Sequence, residues 1–181
     1  TFTSPAPDKT LLEEFYTKIY RSFGRPHYIT PFSDNEIQNR HYLAAFCFMK
    51  VLLEEQKNLF IDGNKISILE IGAGWGEIGS ALKHISQNRL DIYTVEPCLQ
   101  TRKKLKKNGY KVLDSMDEIE NKSINAIISL HVLEHFANPN DFAELYESKI
   151  DSNSLIFLEV PNCRFNDGFI NWILLIVDAI K

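Results

Sequence analysis

Cysteine, methionine and tryptophan are scarce in this chain of 181 residues, with three, two and two copies respectively. The cysteines, Cys47, Cys98 and Cys163, are far apart and form no CxxC pair. Because the cysteines are odd in number and widely spaced, a disulfide framework and a structural zinc site are both disfavoured. We therefore expect reduced thiols in a cytoplasmic protein.

Long apolar runs and an excess of positive charge are also missing. The longest apolar run, residues 169–177, contains Asn171 and is too short to span a bilayer. Residues 1–10 lack the basic start and apolar core of a secretory signal. The formal charge is −4, which disfavours a nucleic-acid partner held by bulk charge. The basic run at residues 102–107 is typical of the solvated face of a surface helix.

From residue 66 onward, short apolar runs alternate with amphipathic stretches. Such alternation predicts an α/β fold, a doubly wound and mostly parallel sheet with helices on both faces. We expect residues 1–60 to form an N-terminal arm and a helical lid, and residues 61–181 to form the core. After residue 160 we expect only a loop and a helix over residues 169–180. The predicted strands cover residues 66–71, 91–95, 111–113, 124–130 and 155–160, and the predicted core helices cover residues 76–86, 99–107 and 142–149.

The most informative segment is LEIGAGWG, residues 69–76, in which a buried strand runs into a turn with three alternate glycines. Glycine permits positive φ and lets a ligand approach the backbone closely. One ligand class is a dinucleotide, since Gly74, Gly76 and Gly79 fit the GxGxxG spacing and Glu96 lies near the usual ribose-binding position. The other is S-adenosylmethionine. A carboxylate at Glu70 favours the second ligand, because it attracts an ammonium group and repels phosphates.

The same segment resembles the first motif of the class I S-adenosylmethionine-dependent methyltransferases. The sequence VEP at residues 95–97 resembles the acidic position of that family at the end of the second strand. INAIISLHVLEHF at residues 124–136 and LIFLEVPN at residues 155–162 are similar to the next strands of one subgroup. That subgroup includes ubiquinone-biosynthesis and sugar methyltransferases. The resemblance covers residues 66–162 and implies a three-layer, Rossmann-like fold whose last strands are missing from this chain.

The resemblance also implies roles for individual residues. Glu96 would hold the ribose, and the loop at residues 114–116 would contact adenine. For His131 and His135, after the fourth strand, two interpretations stay open: a general base, or residues that shape the pocket and bond to the backbone. The string HVLEH at residues 131–135 matches an inverted zinc-protease pattern, but it follows a strand, so no metal is expected. The implied cofactor-binding residues are Glu70, Gly72, Ala73, Gly74, Glu96, Pro97, Asp114, Ser115, Met116, Leu130 and His131.

The implied function is an S-adenosylmethionine-dependent methyltransferase acting on a small molecule. The HVLEH and EVPN strings favour a sugar or surface-glycan building block, with a quinone-like or lipid acceptor next. Two other classes stay open: a non-catalytic methyltransferase-like binding subunit, and a nicotinamide-dependent oxidoreductase. The apolar residues 169–177 would leave an exposed face, which suggests a missing partner segment or a homodimer contact.

Overall fold

The computed structural model describes residues 9–14, 34–61, 63, 65–96, 98–136, 138–160 and 173–178. The helices are α1 (Lys9–Glu14), α2 (Asp34–Glu55), α3 (Lys57–Ile61), α4 (Glu77–Ile85), α5 (Leu99–Lys107) and α6 (Pro139–Glu144). The strands are β1 (Ile66–Ile71), β2 (Leu90–Val95), β3 (Lys111–Leu113), β4 (Ala126–Leu130), β5 (Leu155–Val160) and β6 (Ile173–Asp178). Short 3₁₀ turns cover Met116–Glu118, Leu133–His135 and Glu147–Lys149. No helix in these described segments is both long and apolar enough to cross a membrane.

The strands form one sheet in the order β3-β2-β1-β4-β5-β6. The pairs among β1 to β5 are all parallel, which confirms the predicted doubly wound α/β fold. The direction of winding reverses between β1 and β4. Ligands of such sheets bind beyond the carboxyl ends of the strands at this reversal.

The expected last helix is wrong where the structure describes it. Ile173–Asp178 forms β6, which pairs antiparallel with the whole of β5, from Leu155 opposite Asp178 to Val160 opposite Ile173. A short apolar run has no period that separates a strand from a buried helix. The open edge of β5 decides the outcome, because β6 satisfies backbone groups that would otherwise have no partner in the sheet. The sheet therefore has six described strands where five were expected.

The core lies on both faces of the sheet. On one face Ile66 and Ile68 of β1 pack with residues of α2 and α4. On the other face Leu69 and Ile127 pack with Phe142 of α6. Full burial of a side chain of this size contributes about 1.5–3 kcal/mol, so these two layers orient the strand ends that carry the site.

Helix α2 belongs partly to this core. Ala45, Phe48 and Leu52 are almost fully buried, and the Phe48 ring packs edge-on against Phe157 at 5.4 Å between centroids. The proposal that residues 1–60 close over a ligand stays a prediction. The helix expected over residues 142–149 is shorter than predicted, since α6 begins after the Asn138 cap and ends at Glu144.

Candidate functional site

The glycine-rich turn follows β1 directly and lies beside the end of β4. Gly72 has a φ of 74°, Gly74 of 56° and Gly76 of 80°. A Cβ atom at residue 72 would overlap with the Val132 side chain. The turn closes with a 2.8 Å hydrogen bond from the Gly76 amide to the Ala73 carbonyl, and α4 begins at the next residue. The predicted residues Gly72, Ala73 and Gly74 thus line a tight strand-to-helix turn that requires glycine at residue 72.

Glu70 lies at the end of β1, where its side chain is only 4% exposed. Tyr110 Oη donates a 2.6 Å hydrogen bond to Glu70 Oε2. Burial raises the pKa of Glu70 to about 8, even though the Tyr110 bond opposes that change. The full negative charge expected at this position is therefore suppressed near pH 7. A direct role of Glu70 toward a cofactor stays a prediction.

Glu96 follows β2, and its side chain is buried at the carboxyl edge of the sheet. Its Oε1 accepts a 2.9 Å hydrogen bond from the Cys98 amide. This bond holds the short connection between β2 and α5 in place. Pro97, the other residue predicted here, lies outside the described residues.

The loop after β3 contains the three residues predicted to contact adenine. Asp114 is exposed and forms an ion pair with Arg102. The Ser115 hydroxyl caps the 3₁₀ turn by accepting from the Asp117 amide at 3.1 Å, and Glu118 completes a capping box. Met116 packs at the border of the second core cluster. The cap orders this loop next to the end of β2.

His131 follows β4 directly and has a φ of 57°, a left-handed conformation that is uncommon outside glycine. Its amide donates a 2.9 Å hydrogen bond to the Glu159 carbonyl on β5. The imidazole lies between two carboxylates, with Nδ1 3.5 Å from Glu134 Oε1 and Nε2 3.3 Å from Glu159 Oε1. Burial alone would lower the pKa of His131, but the two carboxylates raise it to about 9. Backbone strain of this kind tends to occur at functional sites.

The other residues predicted near His131 are placed differently. Leu130 is half-buried and lies opposite Glu159 in the β4–β5 ladder. His135 is exposed and ends the 3₁₀ turn Leu133–His135. In the parts of the chain that the structure describes, no group of three or more His, Cys, Asp or Glu side chains is arranged to hold a metal ion.

Sequence reasoning missed four side chains that shape this edge. They act through contacts between distant segments, for which the local pattern has no signal. Arg102 in particular belongs to the run that the sequence predicts to be a solvated helix face, whereas its side chain is only 15% exposed and reaches the ends of β2 and β3. The four residues are Arg102, Tyr110, Val132 and Glu159.

Comparisons with known proteins agree with this geometry. Residues 40–178 match the family described as a methyltransferase domain. The ubiquinone biosynthesis O-methyltransferase of Rickettsia prowazekii is 28% identical over 119 residues, which are 63% of this chain and 47% of that protein. The chain thus spans about half the length of this curated relative.

Solved structures share the fold. The plantazolicin methyltransferase BpumL, solved in complex with SAH, superposes with a TM-score of 0.59 at 16% identity, covering 83% of this chain and 57% of that one. YjhP from E. coli has a TM-score of 0.52 at 12% identity, covering 80% and 56%. The DszA carbon methyltransferase also has a TM-score of 0.52, at 16% identity, covering 64% and 34%.

Proposed function

Because this chain belongs to the methyltransferase domain family, we propose that it transfers a methyl group from S-adenosyl-L-methionine to a small-molecule acceptor. One observation carries the proposal. The glycine turn, Glu96 and the His131 cluster all lie at the carboxyl edge of one sheet, around the reversal between β1 and β4. A ligand in this position meets all three.

The residues at this edge suit S-adenosylmethionine. Gly72 and Gly74 have positive φ angles and no Cβ atom, so the methionine end of the cofactor would pack directly against their backbone. A carboxylate such as that of Glu96 accepts strong hydrogen bonds from two ribose hydroxyls. When bound, the cofactor supplies an electrophilic methyl group. The residues proposed to hold it are Glu70, Gly72, Ala73, Gly74, Glu96, Pro97, Asp114, Ser115, Met116, Leu130 and His131.

The His131 cluster supports a hydroxyl group as the acceptor. The bound cofactor would supply the methyl group to the acceptor oxygen, and the neutral imidazole of His131 would take up the hydroxyl proton. Since Glu134 and Glu159 hold the pKa of His131 near 9, methyl transfer rises with pH up to about that value. His135 is the second residue proposed as a base, on the strength of its place in the HVLEH string.

We further propose a sugar or surface-glycan building block as the acceptor. Carboxylate and imidazole groups both hydrogen-bond to hydroxyls, and Glu134, Glu159 and His131 offer several such groups within one small area. With His131 protonated these three groups sum to one negative charge. That charge disfavours an acceptor with a carboxylate or phosphate next to the reacting atom.

Location and assembly complete the proposal. Cys47 and Cys98 carry free thiols, which supports a reducing, cytoplasmic location. A homodimer stays a prediction: it depends on the apolar side chains of residues 169–177, and the structure describes only the backbone of residues 173–177 among them.

The test begins with calorimetric titration of the chain with S-adenosylhomocysteine and, separately, with NAD. We expect micromolar binding of S-adenosylhomocysteine alone, lost in Gly74→Asp and Glu96→Ala and kept in Glu120→Ala, an exposed glutamate away from the edge. Methyl transfer is then measured by S-adenosylhomocysteine release with nucleotide-linked sugars and with phenols. Binding of NAD instead overturns the cofactor. Cofactor binding without transfer to any acceptor favours the non-catalytic subunit.

A further inference from the structure

Arg102 on α5 connects the ends of two neighbouring strands. Its Nη1 donates hydrogen bonds to the Glu96 carbonyl at 3.1 Å and to the Leu113 carbonyl at 3.0 Å. Its Nη2 forms an ion pair with the Asp114 carboxylate. One guanidinium group thus reaches the end of β2, the end of β3 and the loop that follows β3.

These bonds begin where the sheet ladder stops. The last pair of the β2–β3 ladder is Val95 opposite Leu113, and β3 has only three residues. Arg102 therefore joins strands β2 and β3 at and just beyond their final ladder pair. A short edge strand has few hydrogen bonds of its own, so a side chain that adds a cross-strand link holds its end in place.

Arg102 differs in this respect from its basic neighbours on α5. Lys103, Lys104, Lys106 and Lys107 are exposed, and Lys104 lies over the Trp75 ring at 4.8 Å. The bonding pattern of Arg102 needs a planar group with several donors in fixed directions, which lysine lacks. The basic run therefore contains one residue with a different role from the rest.

We propose that Arg102 is a positioning residue for the nucleoside half of the cofactor. It fixes the separation between Glu96, proposed to hold the ribose, and Asp114, proposed to contact the adenine. Cys98 adds a second link between Glu96 and Arg102. Its amide donates to the Glu96 carboxylate, and its carbonyl accepts a 2.9 Å hydrogen bond from the Arg102 amide. This inference rests on the proposed cofactor role of the edge.

The test compares Arg102→Lys and Arg102→Gln with Lys103→Gln, an exposed neighbour on the same helix. Each variant is titrated with S-adenosylhomocysteine and with adenosine at a temperature where thermal unfolding curves show it to be fully folded. We expect both Arg102 variants to bind either ligand about tenfold more weakly or worse, the loss that accompanies one directed, charged hydrogen bond. Lys103→Gln binds as the unchanged chain does.

The affinity of the folded variants separates a positioning role from a purely stabilising one, and the adenosine titration shows which end of the cofactor is affected. A purely structural role lowers the unfolding temperature without changing the affinity of the folded molecules. Unchanged affinity of the folded Arg102 variants for both ligands overturns the inference. So does a loss that appears with S-adenosylhomocysteine but not with adenosine, since that would place the effect at the amino-acid end. Failure of the unchanged chain to bind S-adenosylhomocysteine instead rejects the proposed function itself.

Discussion

Tyr110 donates a 2.6 Å hydrogen bond to the carboxyl group of Glu70, forty residues earlier in the chain, and both side chains are buried. The Tyr110 ring also occupies the space that a side chain at Gly79 would need, and a Cβ atom there would overlap with Tyr110 Oη. The aromatic ring thus connects the end of β1 with the first turns of α4. Glu70 and Tyr110 thus pack against the core side of the glycine turn.

Tyr110→Phe removes the hydroxyl group and leaves the ring in place. The buried Glu70 carboxyl then has one hydrogen-bond donor fewer, and the free energy of unfolding falls by about 1–3 kcal/mol. Urea denaturation measures the change. Tyr93→Phe is the control, because Tyr93 is only partly buried and its hydroxyl accepts a 3.0 Å hydrogen bond from Lys111. For this control we expect the free energy of unfolding to change by no more than about 0.5 kcal/mol. Equal effects of the two substitutions would contradict a special role of the buried pair.

Glu70→Gln tests the pH dependence that follows from burial. Because burial raises the pKa of Glu70 to about 8 from 4.5, the folded state binds a proton that the unfolded state has already released between these values. The stability contributed by that proton is complete below pH 4.5 and is lost as pH rises toward 8, by up to about 1.4 kcal/mol per pH unit.

Glutamine removes this titration and still offers an oxygen to Tyr110. We therefore expect its stability relative to the unchanged chain to improve steadily from pH 5 to pH 8, as followed by urea unfolding. Parallel stability curves for the two proteins across this range would show that Glu70 is charged in the folded state.

Gly72→Ala introduces a methyl group where Val132 already lies, at a residue with a φ of 74°. We expect binding of S-adenosylhomocysteine to be lost or strongly weakened, since the turn must move away from β4. Gly63→Ala is a matched control: its φ is 73°, but nothing lies within 4 Å of the added atom. It shares the backbone strain without the overlap, and calorimetry should find its affinity unchanged.

Val132→Ala in the Gly72→Ala background removes the overlapping methyl groups. Partial recovery of binding in the double variant is expected. If Gly63→Ala weakens binding as much as Gly72→Ala does, general destabilisation and not the contact with Val132 accounts for the loss.

His131 should titrate near pH 9 in NMR spectra of the folded chain, with its resonance identified by its absence from His131→Gln. Burial opposes the charged imidazole, but the carboxylates of Glu134 and Glu159 outweigh that effect. Glu159→Gln should move the pKa back toward 6.5, whereas Glu147→Gln, outside the cluster, should not. The stability due to this charge is complete below pH 6.5 and is lost as pH rises through 9. A pKa near 6.5 in the unchanged chain would contradict the ion pairs.

Local sequence patterns were sufficient for most of the central elements. Leu99–Lys107, Lys111–Leu113 and Leu155–Val160 have the bounds that their apolar spacing and flanking turn residues predict. The order of alternating strands and helices likewise predicts the parallel sheet, because parallel neighbours need a crossover connection. The sequence also predicts where the glycine turn and Glu96 lie in the fold: the turn joins β1 to α4, and Glu96 directly follows β2.

Other features depended on contacts between segments far apart in the chain. Residues 173–178 form a strand because the edge of β5 offers backbone partners, a condition that their own composition does not contain. Glu70 is largely neutral near pH 7 and bonded to Tyr110, although the sequence predicts a charged carboxylate facing the cofactor. Arg102 links two strand ends, although the sequence predicts that it lies on a solvated helix face. Burial and pairing set the charge and direction of a polar side chain, and both arise only when the strands and helices pack together.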